Sequence, residues 1–467
     1  MKREKLIGFF AVAAAFLFAG CSGSVETGPV PTITPRPAVT LAPTPTPAVV
    51  EQQPGESGQP GETTETQTVY DTKKYKEYYE KENKLPELDE AYKDLFTVGI
   101  DALQIDITDA KRQAIIKEQF NTISVKEDLS PNVLMDYEAS AASGDLTRIS
   151  LDFSGADVIL KFAQENNIPV RGPKLITNET PAWAFTQNFS EAQVVTTTAE
   201  DGTETTTIEY ASADVMWARM ENYIKDVINY CNTNYPGLVI SWDVLDDVIS
   251  ANQGQAQNYR TDSQWYQTLG DTYMVKACEF ARKYATADQK LFFSQDGLDE
   301  NAVQKSSLDL IAILKDAKVI DGVAIQAHYN PNGPNVFALE GMFKAIGETG
   351  LEVHLTEFHV DSNEGSVGDN DLTPEELLAR CAKRYKNLMT TICNSETKKG
   401  YDIVNITVEG LTDDTSSLNQ PKDYVDIVTG EKMHGVQKIS YPYFFDADLN
   451  VKDNFFAMMG DATIKGY

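Results

Sequence analysis

Histidine is scarce in this chain, and so is positive charge. Four histidines in 467 residues argue against a histidine-rich metal enzyme. Forty basic residues face 70 acidic ones, for a formal charge of -30. Phosphate binding needs a basic surface, so nucleic acid and anionic lipid headgroups are excluded as partners. The five cysteines show no C-x-x-C spacing, so no zinc or redox site is indicated. Cys231 and Cys278 lie in helical patterns, NYIKDVINYC and YMVKACEFAR, and are expected as buried thiols rather than bridges. No nucleotide, metal or flavin motif is present, so no cofactor and no metal are expected. Apolar content is not lacking: 42% hydrophobic and 10% aromatic residues exclude a globally disordered chain.

The first apolar run, Leu6 to Phe18, is too short to span a bilayer. It follows Lys2, Arg3 and Lys5 and precedes Ala19-Gly20-Cys21, so residues 1–20 read as a signal peptide. Small residues directly before a lone cysteine resemble the bacterial lipobox. That resemblance implies lipidation of Cys21 and a chain held on the extracellular face of a bacterial cell membrane. The N-terminal lipid is the only membrane contact expected. Residues 21–68 hold nine prolines and ten threonines and no aromatic residue. Such a segment cannot bury a core, and is expected as an extended tether with a reach of at most ~140 Å.

Residues 69–467 are expected to fold as a single domain. Short β-branched or aromatic runs alternate there with helical patterns. The runs are FTVGIDA from Phe96, FNTISV from Phe120, IPVRGPKLI from Ile168, LVISWDVL from Leu238, KLFFSQ from Lys290, GVAIQAH from Gly322, EVHLTEFHV from Glu352 and DIVNITVEGL from Asp402. Helical spacing marks residues 155–167 and 307–318, and Thr373-Pro374-Glu375-Glu376 has the form of a capping box. Eight strand–helix units are the pattern of a (β/α)8 barrel, an α/β fold. The threonine- and acid-rich stretch from Thr196 to Thr207 is expected as an exposed loop.

Catalytic residues of such barrels lie at the C-terminal ends of strands. Strand four ends at Asp246-Asp247, strand six carries Gln326-Ala327-His328, and strand seven carries Thr356-Glu357. Two carboxyl groups facing each other across a barrel mouth suit glycosidic cleavage, with one as nucleophile and the other as proton donor. His354 and His359 are five apart on one strand, so simple alternation puts them on opposite faces and argues against a metal pair.

The ordered set Phe120-Asn121, Val170-Arg171-Gly172, Thr180-Pro181-x-Trp183, Arg219-Met220-Glu221-Asn222, Trp242-Asp243-Val244, Gln326-x-His328, Thr356-Glu357 and Gly410-Leu411-x-Asp413-Asp414 resembles glycoside hydrolase family 10, the retaining endo-xylanases. The resemblance runs from about Leu95 to Met458. It implies Glu357 as nucleophile, His328 as the histidine that orients it, Gln326 on the same wall, and Asp247 as acid/base where the family has glutamate. A polysaccharide or oligosaccharide is the implied partner, and a monomer is expected.

Departures cluster where the sugar would sit. Asp246 replaces an amide, Lys126 and Glu127 stand in the strand-two acidic stretch, and Asn178 replaces a histidine after strand three. Glu409 replaces a strand-eight tryptophan, and Asp296 a strand-five tyrosine. Asp247 is one methylene shorter than glutamate, and the Asp246 charge is expected to raise the pKa of Glu357. Two functions remain open: a surface-tethered retaining hydrolase of β-1,4-xylan or a related plant β-glycan, and a catalytically impaired glycan-binding protein. Lys126, Asp296 and Glu409 would also suit a charged or differently branched glycan.

Overall fold

The computed structural model describes residues 73–198, 204–251, 256–363, 372–425, 432–435 and 438–460. Residues 1–68, expected as signal peptide and tether with Cys21 as the lipidation site, lie outside the described residues. Eight strands form a closed parallel barrel. They are β1 (Thr97–Asp101), β2 (Thr122–Ser124), β3 (Val170–Ile176), β4 (Val239–Asp246), β5 (Lys290–Gln295), β6 (Gly322–Tyr329), β7 (Glu352–Val360) and β8 (Ile403–Val408). Six of the strands lie within the expected runs, and β4 and β6 each extend one residue beyond theirs, to Asp246 and Tyr329. A parallel strand is covered on both faces, by the barrel interior and by helices, which is why the runs are nearly continuous in apolar residues. The last strand closes on the first, with Val98 opposite Ile406 and Ile100 opposite Val408.

The outer layer follows the helical patterns. Ala156–Glu165 buries Ile159, Leu160, Phe162 and Ala163, one face at helical spacing. Pro374–Asn394 begins with the expected capping box: Glu376 N donates to Thr373 Oγ1 at 3.3 Å and Thr373 N to Glu376 Oε2 at 2.9 Å. Cys231, Cys278, Cys381 and Cys393 are all buried free thiols. The Thr196–Thr207 stretch departs from expectation. Val194–Thr198 pairs antiparallel with Glu204–Ile208, and Thr196 Oγ1 meets Thr206 Oγ1 at 2.9 Å. Its β-branched residues favour a paired ribbon over an irregular loop.

Charge fills the barrel below the mouth. Arg171 on β3 and Asp243 on β4 form a buried ion pair, and Arg171 Nε donates to His354 Nδ1 at 3.3 Å. The His354 ring lies 4.0 Å from that of Phe292. Burial and then the Arg171 charge hold His354 well below its ordinary pKa, so the ring is neutral and accepts. Gly322 makes room for Phe292, because a Cβ there would also stand 2.7 Å from the Glu352 carbonyl.

Candidate active site at the barrel mouth

A bulge in β7 places the central carboxylate. Gln326 on β6 pairs with Thr356, but His328 pairs with His359, so β7 carries one extra residue between the two rungs. The pairing with β8 skips in the same place, from Leu355 to Phe358. Glu357 sits in the skip with φ of 54°, and the irregularity turns its side chain into the mouth. The bulge also corrects the expectation for the two histidines. The extra residue cancels the alternation, so His354 meets Arg171 inside the barrel and His359 meets Glu409 at the mouth.

Both Glu357 oxygens are held by cations. Lys174 Nζ lies 2.6 Å from Oε1, Lys126 Nζ 2.8 Å from Oε2, and His328 Nε2 3.0 Å from Oε2. Each lysine has a second carboxylate: Lys174 reaches Asp246 Oδ1 at 3.0 Å and Lys126 reaches Glu409 Oε1 at 3.1 Å. Glu409 Oε2 in turn lies 2.8 Å from His359 Nδ1 and accepts from the Tyr443 hydroxyl at 3.1 Å. A chain of alternating charge therefore crosses the mouth from β4 to β8.

This chain overturns the expected effect of Asp246. Burial alone would raise the pKa of Glu357, but Lys174, Lys126 and His328 hold it well below the carboxylate range. The like charge acts on Asp247 instead. Burial, and then the Asp246 charge, push Asp247 up to about 7. His328 moves the other way. Burial opposes its charge, yet the Asp296 carboxylate beside it and the hydrogen bond to Glu357 raise it to about 10, so the ring is a cation at neutral pH.

Asp247 also has φ in the left-handed region, at 47°. Its Oδ1 accepts from the Asp296 backbone N–H at 2.7 Å, Gln326 Nε2 at 3.1 Å and Gln295 Nε2 at 3.3 Å. Gln326 Nε2 also donates to Asp246 Oδ1 at 2.7 Å, which ties the two aspartates to one amide. Asn178 Nδ2 donates to the Asp247 carbonyl at 3.2 Å and supports the turn rather than the carboxyl. Asp296 Oδ2 lies 3.7 Å from His328 Nδ1.

All the residues singled out from the sequence within the described range therefore converge on the mouth. Glu127 is exposed and lines a cavity of about 50 Å³ with Asp101, Lys126, Glu409 and Tyr443. That is room for a few waters rather than a sugar ring. Sequence reasoning missed Lys174, His359, Gln295 and Tyr443. A second basic residue in β3, two after the Gly172 that follows Arg171, was the available signal for Lys174, because a charge facing a barrel interior needs a partner there.

Residues 87–461 match the sequence profile described as Glycosyl hydrolase family 10. This chain belongs to that family. It is 27% identical over 381 residues to endo-1,4-beta-xylanase B of Butyrivibrio fibrisolvens, an alignment covering 80% of this chain and 53% of the relative. The chain thus spans about half the length of that protein. A beta-1,4-xylanase of Dictyoglomus thermophilum is 28% identical over 381 residues, covering 80% of this chain and 91% of its own length. Among solved structures, the Clostridium thermocellum endo-1,4-beta-D-xylanase 10B modules complexed with xylohexaose superpose with a TM-score of 0.66 at 22% identity, over 81% of this chain and 68% of that one. Xylanase XynB from Paenibacillus barcinonensis gives 0.63 at 21% identity, over 81% and 99%. At these identities the two structures show that the family 10 member described here shares their barrel fold.

Proposed function

We propose that this chain is a retaining glycoside hydrolase that cuts β-1,4-xylan or a related plant β-glycan within the chain. The observation that carries the reading is the opposed ionisation of two carboxyl groups at the mouth. Glu357, held well below the carboxylate range by its cations, is ionised at neutral pH, as a nucleophile must be, while Asp247 keeps its proton up to about pH 7, as a general acid must. Asp247 protonates the leaving oxygen as Glu357 attacks the anomeric carbon. In the second half Asp247 takes a proton from water, which releases the sugar from Glu357. His328, as a cation, orients Glu357 and balances its charge. A Glu357 oxygen must be freed for attack. Lys174 and Lys126 each have another carboxylate to fall back on, so the bond to Glu357 can open without leaving an ammonium unpaired. Lipidation of Cys21 and a Pro/Thr-rich tether would hold this monomeric domain outside the cell, within reach of the polymer.

A second reading, glycan binding without cleavage, is favoured by one observation: both nucleophile oxygens are engaged by ammonium groups. Product analysis on xylans, arabinoxylans and mixed-linkage glucans separates the two, with Glu357→Gln as control. Hydrolysis predicts oligosaccharides from wild type only. Equal background release from both proteins, with one polymer still retained, would remove the enzyme reading and leave the binding one.

A further inference from the structure

His328, His359 and Glu409 come from three strand ends, and their donor atoms all lie within 4.8 Å of one another. The histidine rings are 5.1 Å apart between centroids. His359 Nδ1 is 3.1 Å from the Glu357 carbonyl oxygen, which can only accept. Nδ1 also lies 2.8 Å from Glu409 Oε2, so its proton sits between two acceptors, and a metal held between His359 and Glu409 takes that proton's place. His328, a cation in the metal-free protein, releases one ring proton to ligate, and Asp296 beside Nδ1 is a carboxylate of the kind that keeps the other and orients the ring. The surroundings favour a cation. Glu127, Asp246, Asp296, Glu357 and Glu409 are the carboxylates there, against Lys126, Lys174 and His328 as its cations. One of those lysines already fills the role of a bridging cation, since Lys126 Nζ bonds Glu357 and Glu409 together.

From this geometry we infer a divalent transition-metal site, with zinc as its probe, held by His328, His359 and Glu409 and entered when the Lys126 ammonium swings aside. Zinc–nitrogen bonds of about 2.0–2.1 Å put tetrahedral donors roughly 3.3 Å apart, so the farthest pair must close by about 1.5 Å. His328 is half-buried and supplies that movement by side-chain rotation. A metal there draws His328 away from Glu357 and sits against the nucleophile. Zinc is therefore an inhibitory ligand in this proposal, not a cofactor, and its binding is independent of whether the chain cleaves glycan.

The test is calorimetric titration of the intact chain with Zn2+, together with visible absorption on adding Co2+. One ion per chain is expected, with d–d bands of tetrahedral cobalt. His359→Asn and Glu409→Gln should each weaken binding roughly tenfold or more. Lys126→Met, which removes the competing ammonium, should tighten it. Absence of binding by wild type, equal affinity in the two ligand variants, or no gain in Lys126→Met would each overturn the site. The gain expected for Lys126→Met keeps the proposal testable even if a ligand variant fails to fold.

Discussion

Lys174 is the side chain on which the mouth's charge balance turns, and Lys174→Met isolates its contribution. The substitution keeps length and apolar stem while removing the ammonium that lies 2.6 Å from Glu357 and 3.0 Å from Asp246. Breaking a buried ion pair costs about 3–5 kcal/mol, because the remaining charge stays buried without its partner. The Lys174 side chain is 20% exposed and both carboxylates keep other donors, Lys126 and His328 on Glu357 and Gln326 on Asp246. The lower end, about 3 kcal/mol at pH 7, is therefore expected. The deficit must depend on pH. Glu357 has its pKa depressed in the folded wild type, so its pairing contributes stability above the unfolded value of about 4.3 and loses it as pH falls further. In the variant an acid pH neutralises the repelling carboxylates. Equilibrium denaturation in guanidinium chloride at pH 7 and near pH 4 measures both quantities. A variant within about 0.5 kcal/mol of wild type at pH 7, the scatter of a neutral surface change, would refute the reasoning. So would a deficit that grows on acidification.

Other consequences are as direct. Hydrolysis should fall on the alkaline side with a midpoint near pH 7, because Asp247 loses the proton it must donate; a kcat/KM profile flat from pH 6 to 9 would contradict the assignment. Asp247→Asn should abolish that limb together with nearly all activity on polysaccharide, while binding to insoluble xylan in a pull-down persists. Asp247→Glu restores the missing methylene and should raise kcat by up to about 10²-fold, the cost of a misplacement of about 1 Å; an unchanged or lower kcat would show that the shorter acid is already well placed. Thr373→Ala removes the capping oxygen from the helix after β7 and should cost about 1 kcal/mol in the same denaturation assay, with kcat unaffected.

The barrel was legible in the sequence to a degree that the mouth was not. Strand positions followed from runs of β-branched and aromatic residues, a local property, and the capping box at Thr373 is local as well. Glu357, His328, Gln326 and Asp247 were found because strand ends carry the chemistry in this architecture. Lys174 escaped because its partners, Asp246 on β4 and Glu357 on β7, meet it only once the barrel closes. The same distance explains the misjudged charge effect. The sequence alone sets Asp246 against Glu357 with no cation between them, whereas Lys174 stands between the two and leaves Asp247 to feel the repulsion. His359 was misplaced by counting alternation through a bulge, and nothing in EVHLTEFHV announces an extra residue.

The backbone beneath the two acids proposed to react gives aspartate at position 247 a reason apart from chemistry. A left-handed φ is tolerated more readily by aspartate, whose short side chain bonds locally, than by glutamate. Asp247, at 47°, has the shorter chain, whereas Glu357, at 54°, has the longer chain in the same unfavourable region. The two positions have thus settled opposite sides of one conflict. At 357 reach is kept and the fold bears the strain. At 247 the strain is relieved and reach is given up, so any return to glutamate there would trade conformational ease for catalytic length.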